Sequence, residues 1–281
     1  MNTQDLTRRI GASRLAPVAA FPVRLRSVAR HDGRVLAQSA RWLVTSREHH
    51  NYTYDLTPRN REHLAWFIAA VAGAPVGRVR GWLDEIDGDT ALREHVQAAV
   101  AASDRRGLAD RTVRYGRRVG WYALLRALKP RHVVESGVDK GLGSCVIASA
   151  LLRNAEEGSP GRLTGLDINP AAGYLVSGQY AGVVDLVLGD SLVTIPRLAE
   201  PVDVFMHDSN HSAEHEAAEF RLIEERLAPA ALLLSDNATE TDELVQYAEQ
   251  TGRQFLFFRE VPEQHWFPGD GIGVAWRPSV G

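Results

Sequence analysis

The sequence predicts a doubly wound α/β fold, in which a mostly parallel seven-stranded sheet follows a mainly helical N-terminal subdomain. Three observations predict this fold. A β-branched run at Val133-Val134 leads into a glycine-rich turn and then into a helical pattern. Short apolar runs then alternate with helical stretches, which is typical of parallel strands. The last two apolar runs are joined by residues 261–271, a link too short for a packed helix, so these two strands should be antiparallel neighbours.

The composition is that of a globular protein with a full core. The chain has 281 residues, of which 44% are hydrophobic and 24% are charged, and its net charge is −3. It has no apolar run of membrane-spanning length and no dense basic block, so neither a membrane nor a nucleic acid is an expected partner. Residues 1–10 lack the apolar core of a signal peptide, and the single cysteine, Cys145, cannot form an internal disulfide. We therefore expect a cytoplasmic protein whose sequon at Asn51 is not glycosylated.

The N-terminal region carries helical signals after an ambiguous start. Residues 21–46 contain two β-leaning runs around His31-Asp32-Gly33, a plausible hairpin turn, although Leu36 to Leu43 would also form a helix. Thr57 and Pro58 are typical of a helix start, and Gly73 is typical of its end. Further helices are predicted over 76–86 and 91–102.

These patterns divide the chain into two regions. Residues 1–110 are predicted to be an accessory region, acting as a lid, a substrate element or an oligomer contact, and residues 111–281 form the α/β domain. A helix over 119–128 ends at Lys129-Pro130, just before the first strand. The later strands are predicted at 163–166, 183–188, 202–206, 231–234, 255–258 and 272–276.

The glycine-rich turn has the spacing Glu135-x-Gly137-x-x-x-Gly141-x-Gly143. Its glycines permit a tight bend and a close approach of the backbone to a ligand. The spacing differs from the Gly-x-Gly-x-x-Gly of dinucleotide folds, and an acid at the strand end suits a cationic ligand better than a pyrophosphate. The turn resembles the first motif of class I S-adenosylmethionine-dependent methyltransferases, which have a Rossmann-like fold with an appended antiparallel pair. The resemblance covers residues 115–281.

Two more acids lie at the ends of successive strands, where ligands bind in such sheets. They are Asp167, followed by Ile168, and Asp190, followed by Ser191. Either acid could simply cap the helix that follows. The resemblance implies that the glycine turn contacts the methionine moiety of S-adenosylmethionine. It also implies that Asp167 binds the ribose, that Asp190 and Ser191 lie at the adenine, and that Ile168 packs on the base.

Three oxygen donors follow the fourth and fifth strands, namely Asp208, Asp236 and Asn237. Hard oxygen ligands of this number suit Mg²⁺ or Mn²⁺. The three positions resemble the metal ligands of catechol-type and natural-product sugar O-methyltransferases. His211 lies three residues after Asp208 and is the predicted general base, because an unperturbed histidine has a pKa of about 6.5. His215 and Glu216, on the next helix, are expected to face solvent.

The sequence thus predicts a Mg²⁺-dependent O-methyltransferase that acts on a hydroxyl of a sugar or a hydroxylated secondary metabolite. Methylation of nitrogen or carbon without a metal is the alternative within the fold. A non-catalytic protein that binds S-adenosylmethionine and an NAD-dependent oxidoreductase are further alternatives, and the glycine spacing argues against the oxidoreductase. The expected partner is a small hydroxylated molecule, and a homo-oligomer is left open.

Overall fold

A computed structural model describes residues 16–48, 52–109 and 112–277. Two sequence predictions lie outside the described residues: the lack of a signal-peptide core in residues 1–10 and the unglycosylated sequon at Asn51. The described chain forms two compact units. The first contains residues 16–46 with 264–267, and the second contains residues 47–263 with 268–277.

The first unit consists of the helices α1 (Ala16–Ala19) and α2 (Phe21–Thr45) and residues 264–267. The predicted hairpin around His31-Asp32-Gly33 is therefore wrong. Apolar residues such as Phe21, Leu25 and Val28 recur at spacings of three and four, which favour a helix, and Gly33 inside it costs only about 1 kcal/mol. None of the side chains of α2 is buried.

The second unit begins with a helical layer. Its helices are α3 (Pro58–Ala72), α4 (Val76–Asp87), α5 (Thr90–Ala102) and α6 (Arg118–Leu128). The side chain of Thr57 caps α3 by accepting a hydrogen bond from the backbone N–H of Asn60, and Gly73 ends the helix at a φ of 62°. Helices α3 to α5 thus belong to the same unit as the sheet, while an accessory role for residues 1–110 stays a prediction.

The sheet has seven strands in the order β3-β2-β1-β4-β5-β7-β6. The strands are β1 (His132–Ser136), β2 (Arg162–Asp167), β3 (Val184–Leu188), β4 (Val202–His207), β5 (Leu227–Asp236), β6 (Gln254–Arg259) and β7 (Gly271–Trp276). Strands β1 to β5 are parallel, and β7 is antiparallel to both β5 and β6. The predicted doubly wound fold and its antiparallel pair are confirmed.

The helices that follow the strands are α7 (Leu142–Glu156), α8 (Ser191–Thr194), α9 (Ala213–Ile223) and α10 (Glu243–Thr251). The core between β4, β5 and these helices includes Phe205, Phe220 and Leu233, all almost fully buried. Within the described ranges, no helix combines the length and apolar character needed to cross a bilayer. Because β1 and β4 are neighbours in the middle of the sheet, their carboxyl ends place the glycine turn next to Asp208.

Candidate active site

A cavity of about 600 Å³ opens at the carboxyl ends of β1 to β4 and beside the start of α6. It lies at the edge of the sheet where open α/β folds bind their ligands. Ten of the predicted site residues line it. They include residues predicted to bind the cofactor and residues predicted to bind the metal or act as the base: Glu135, Gly137, Gly143, Asp167, Ile168, Asp190, Ser191, Asp208, His211 and Asn237. The other two predicted site residues do not line the cavity: Gly141 lies in the same turn, and Asp236 is fully buried.

The glycine turn passes so close to the end of β4 that no side chain fits at position 137. Gly137 has a φ of 88°, and a Cβ there would lie 2.1 Å from the carbonyl oxygen of Asp208. Backbone hydrogen bonds hold this approach, since the N–H of Asp208 donates to the carbonyl of Ser136 over 2.8 Å. A Cβ at Gly143 would lie 2.5 Å from Oε1 of Glu135. The glycines therefore bring two strand ends and an acid together at the floor of the cavity.

Glu135 supplies a buried acid at this floor. Its side chain accepts a hydrogen bond from the hydroxyl of Ser144, the third residue of α7. Burial raises the pKa of Glu135 to about 8, an effect that the Ser144 hydrogen bond and the charge of Arg118 only partly offset. At neutral pH this carboxyl is therefore mostly protonated, and a cation beside it would favour its ionised form.

Asp167 anchors the glycine turn. Its Oδ2 accepts hydrogen bonds from the backbone N–H groups of Val138 and Asp139, each over 2.9 Å. Its Oδ1 accepts one from the N–H of Asn169 over 2.7 Å. A carboxylate has about four acceptor positions, so one remains for a ligand hydroxyl. The structure thus gives Asp167 a local role that the sequence does not predict.

At the adenine end of the predicted site, Asp190 is the N-cap of α8 and accepts a hydrogen bond from the N–H of Leu192 over 2.9 Å. The helix-cap interpretation of this acid is therefore correct as far as its local contact goes. Ser191 is buried, and its Oγ lies 3.3 Å from Nε2 of His215. The side chain of Ile168 is 75% exposed at the cavity wall, where it offers an apolar surface to a flat ligand.

The other side of the cavity holds His211 between Asp208 and Asn237. The side-chain amide of Asn237 donates to Nε2 of His211 over 3.0 Å, and the same nitrogen lies 3.8 Å from Oδ1 of Asp208. Burial, together with the charge of the nearby His207, lowers the pKa of His211. His211 is therefore neutral at neutral pH, as a general base must be.

Asp208 and Asp236 lie within hydrogen-bonding reach of each other. Burial raises the pKa of Asp208 well above its ordinary range, and the charge of Asp236 raises it further. Burial would also raise the pKa of Asp236, but the guanidinium of Arg117 holds it below its ordinary value.

More carboxyl groups than guanidinium groups surround this pair of aspartates. Arg117 contacts Asp236 and also lies 3.1 Å from Glu260, while Arg118 lies 3.9 Å from Asp208. Three carboxyl groups therefore share two guanidinium groups. Burial raises the pKa values of Asp208 and Glu260, so the site reaches charge balance when one of the three carboxyls is protonated.

Arg117 is a residue of the candidate site that the sequence does not single out. Its Nε and Nη2 donate to the two carboxylate oxygens of Asp236, and Nη2 also donates to Oδ1 of Asn237 over 2.7 Å. In the described part of the chain, no three histidine, cysteine or carboxylate side chains converge as metal ligands. The predicted donors, two carboxyl groups and one amide, nevertheless lie close together, and oxygen atoms of this kind are the ligands that hard cations prefer.

A second missed feature is the buried carboxylate of Glu219 on α9. It accepts hydrogen bonds from Nδ1 of His207 over 2.7 Å, from Oγ of Ser136 over 2.5 Å and from Nε2 of His215 over 3.0 Å. Burial alone would raise the pKa of Glu219, but the hydrogen bond and charge of His207, together with the hydrogen bond from Ser136, lower it to about 2. The network ties α9 to the ends of β1 and β4, which lie beside Asp208.

The expectation that His215 and Glu216 face solvent is wrong. His215 bonds to Glu219, and Glu216 is buried and accepts a hydrogen bond from Oγ of Ser235 over 2.6 Å. Both lie on the inner face of α9, because a polar network under the strand ends provides them with partners. The side chains of this network are polar, so the periodicity of apolar residues in the sequence does not reveal it.

Residues 134–238 match the model of a family described as a methyltransferase domain. Among curated proteins, none matches this chain significantly. Solved structures resemble its fold. The O-methyltransferase TomG from Streptomyces achromogenes, involved in tomaymycin synthesis and solved with S-adenosylmethionine, is 20% identical, with a TM-score of 0.51 over 66% of this chain and 90% of that chain.

Two further solved structures resemble this fold to the same degree. The cofactor-bound protein Rv0187 from MTB is 23% identical, with a TM-score of 0.51 over 67% of this chain and 90% of its own. The O-methyltransferase from Bacillus cereus, solved with S-adenosylhomocysteine, is 17% identical, with a TM-score of 0.51 over 67% of this chain and 91% of its own. At these identities the likeness concerns the fold, and it agrees with the family match over the strands that build the cavity.

Proposed function

We propose that this chain, which is a class I S-adenosylmethionine-dependent methyltransferase, methylates a hydroxyl oxygen of a small molecule with a divalent cation at the acceptor. The observation that carries the proposal is the position of His211, whose Nε2 lies 3.0 Å from the amide nitrogen of Asn237 and 3.8 Å from Oδ1 of Asp208 at the cavity wall. A sugar or hydroxylated secondary metabolite with two neighbouring oxygens is the proposed acceptor class. The O-methyltransferases among the structures of similar fold support transfer to oxygen.

We assign the glycine-turn side of the cavity to the cofactor. S-adenosylmethionine supplies the methyl group. Glu135 lies where it can receive the cationic amino group of the methionine moiety, and the turn of Gly137, Gly141 and Gly143 allows the backbone to approach it closely. Asp167 keeps one acceptor position for the ribose. The adenine is assigned to the residues at the far end of the cavity: Ile168, Asp190 and Ser191.

His211 is the proposed base. Its depressed pKa keeps the imidazole neutral, and its Nε2 is the atom that accepts a hydrogen bond at the cavity wall. An acceptor hydroxyl must take the place of the Asn237 amide at this nitrogen before its proton can be transferred. Nε2 of His211 therefore stays hydrogen-bonded to Asn237 until the acceptor binds.

The proposed metal ligands are Asp208, Asp236 and Asn237, which would hold Mg²⁺ or Mn²⁺. A bound divalent cation acts as a Lewis acid that lowers the pKa of a coordinated hydroxyl. The support for this assignment is the type of the donor atoms and the presence of three carboxyl groups against two guanidinium groups around the two aspartates. His211, next to this pair, would then accept a proton from a more acidic hydroxyl.

The test is a labelling experiment. The protein is incubated with methyl-labelled S-adenosylmethionine and small molecules that contain vicinal diols or catechols, with Mg²⁺ or with a chelator. We expect a labelled methyl ether, lost with the chelator, and we expect His211→Gln to abolish the label while binding S-adenosylhomocysteine as tightly as the wild type. Label on nitrogen or carbon contradicts transfer to oxygen, and a His211→Gln variant of unchanged activity contradicts the base.

One observation favours a second candidate, a methyltransferase that uses no metal. Arg117 already places a positive charge on the oxygens of Asp236 and Asn237. In that case the chelator leaves the labelled product unchanged. This arm of the same experiment therefore separates the two candidates.

A further inference from the structure

Arg117 lies between two fully buried acids. Only 9% of its side chain is exposed, and the side chains of Asp236 and Glu260 are not exposed at all. Its guanidinium donates to both oxygens of Asp236 and, over 2.7 Å, to Oδ1 of Asn237. A charge buried in this way is retained only where its partners are well placed.

The oxygens that Arg117 engages are the ones proposed to bind the divalent cation. A guanidinium in bidentate contact with a carboxylate carries its full charge within a few ångströms of that carboxylate. A divalent cation bound to the same oxygens would be strongly repelled, because the surroundings are largely buried and screen charge poorly. Arg117 and the cation therefore cannot both hold Asp236 in the same way.

A second acceptor for Arg117 lies on its other side. Nη1 of Arg117 is 3.1 Å from Oε1 of Glu260, yet this buried oxygen receives no well-aligned hydrogen bond from the residues that the structure describes. The other oxygen of Glu260 accepts a hydrogen bond of 2.5 Å from the hydroxyl of Tyr54, which fixes the carboxylate in place. The guanidinium thus touches an acceptor oxygen that is in position to take a further hydrogen bond.

The geometry points to Arg117 as a positioning residue that exchanges partners: it holds Asp236 and Asn237 in the metal-free state and moves onto Glu260 when a divalent cation binds. This inference rests on the proposed metal site. It assigns Glu260 and Tyr54, which lie outside the metal ligands, to the same reaction. It also explains how Asp236 and Asn237 stay in place while no metal is bound.

Binding of Mn²⁺ tests the exchange without any turnover. Free Mn²⁺ is measured by electron paramagnetic resonance during titration of the wild type, of Glu260→Gln, and of the double variant Arg117→Met with Glu260→Gln. The double variant removes one positive and one negative charge together, so it leaves no unpaired buried carboxylate at position 260. Arg126→Met is the matched control, because Arg126 is also buried but pairs with Glu85 and Glu157 instead.

We expect the double variant to bind Mn²⁺ at least about tenfold more tightly than the wild type, since the competing charge is gone. Glu260→Gln should bind it several-fold more weakly, because Arg117 then has no second charged partner. Arg126→Met should match the wild type. Urea unfolding and binding of S-adenosylhomocysteine establish that each variant is folded.

The outcomes that contradict the inference are distinct from failure of the metal site. Equal affinity of the double variant and the wild type overturns the competition while leaving the metal site intact. Equal affinity of Glu260→Gln and the wild type overturns the transfer to Glu260. If neither the wild type nor any variant binds stoichiometric Mn²⁺, the proposed metal site itself is wrong, and the inference fails with it.

Discussion

Glu135 should make the affinity for adenosyl ligands depend on pH, and the substitution Glu135→Gln isolates this effect. The pKa of the buried carboxyl is about 8 in the ligand-free protein, against an ordinary value of 4.5. It is therefore almost fully protonated at pH 6 and half ionised at pH 8. A protonated carboxyl resembles the amide of glutamine, so the wild type and the variant should behave alike at low pH.

The expected magnitude follows from the change in pKa on binding. A cationic group at 4–6 Å lowers the pKa of a carboxyl by roughly 1–3 units. If the amino group of the ligand lowers the pKa of Glu135 by about two units, the protein with ionised Glu135 binds the ligand about 100-fold more tightly than the protein with neutral Glu135. This ratio corresponds to about 2.7 kcal/mol of binding free energy. The ratio of wild-type to variant affinity then rises from about 2 at pH 6 to about 50 at pH 8.

The assay is isothermal titration of S-adenosylhomocysteine into the two proteins across this pH range. The exposed acid Glu200, which pairs with Arg162, provides the control Glu200→Gln, whose affinity should follow that of the wild type at every pH. Ser144 can still donate to the amide oxygen of the introduced glutamine, so the Glu135→Gln variant should keep its fold. An affinity ratio that stays constant from pH 6 to pH 8 refutes the placement of the amino group at Glu135.

Three further predictions concern the structure around the cavity. Gly137→Ala should destabilise the protein by at least about 2 kcal/mol in urea unfolding, because its Cβ would meet the carbonyl of Asp208, whereas Gly158→Ala, at a similar φ of 81° but in open space, should cost only about 1 kcal/mol. Equal losses would show that the contact with β4 is unimportant. Glu219→Gln should cost up to about 3 kcal/mol at neutral pH, since the pKa of Glu219 falls from 4.5 to about 2 on folding. This stabilisation is present above pH 4.5 and is lost as the pH falls towards 2, so the stabilities of variant and wild type should converge in acid; a constant difference would contradict the assignment. Asp167→Asn should weaken binding of S-adenosylhomocysteine at least about tenfold, because an amide oxygen is a poorer acceptor for the three backbone N–H groups that shape the turn; unchanged affinity would show that the turn keeps its shape without the charge.

The fold is predictable because its elements have strong local signals. The β-branched strand, the glycine turn and the alternation after it each indicate the same α/β arrangement, and the helix start at Thr57-Pro58 is predicted to the residue. Residues 21–46 are ambiguous, since a β-leaning composition and a helical spacing occur in the same segment. The helical spacing of the apolar residues prevails there, and the segment forms a helix.

The ends of the strands are predictable as the place of the site, but the contacts beneath them are not. Arg117 precedes a helix and has a second arginine beside it, and nothing in that pair marks it as the one that reaches Asp236 from 119 residues away in sequence. Glu219 likewise looks like a surface residue of an amphipathic helix. Buried polar networks depend on pairing between distant segments, which single-sequence periodicity does not encode.

The most direct test of the account is the thermal unfolding of the purified chain with S-adenosylhomocysteine and, separately, with NAD. A ligand at about a hundred times its dissociation constant stabilises the folded state by about 2.7 kcal/mol, which raises the midpoint by several degrees for a protein of this size. We expect such a shift with S-adenosylhomocysteine and none with NAD. A shift with NAD alone, or no shift with S-adenosylhomocysteine at saturating concentration, would contradict the assignment of this cavity to an adenosyl cofactor.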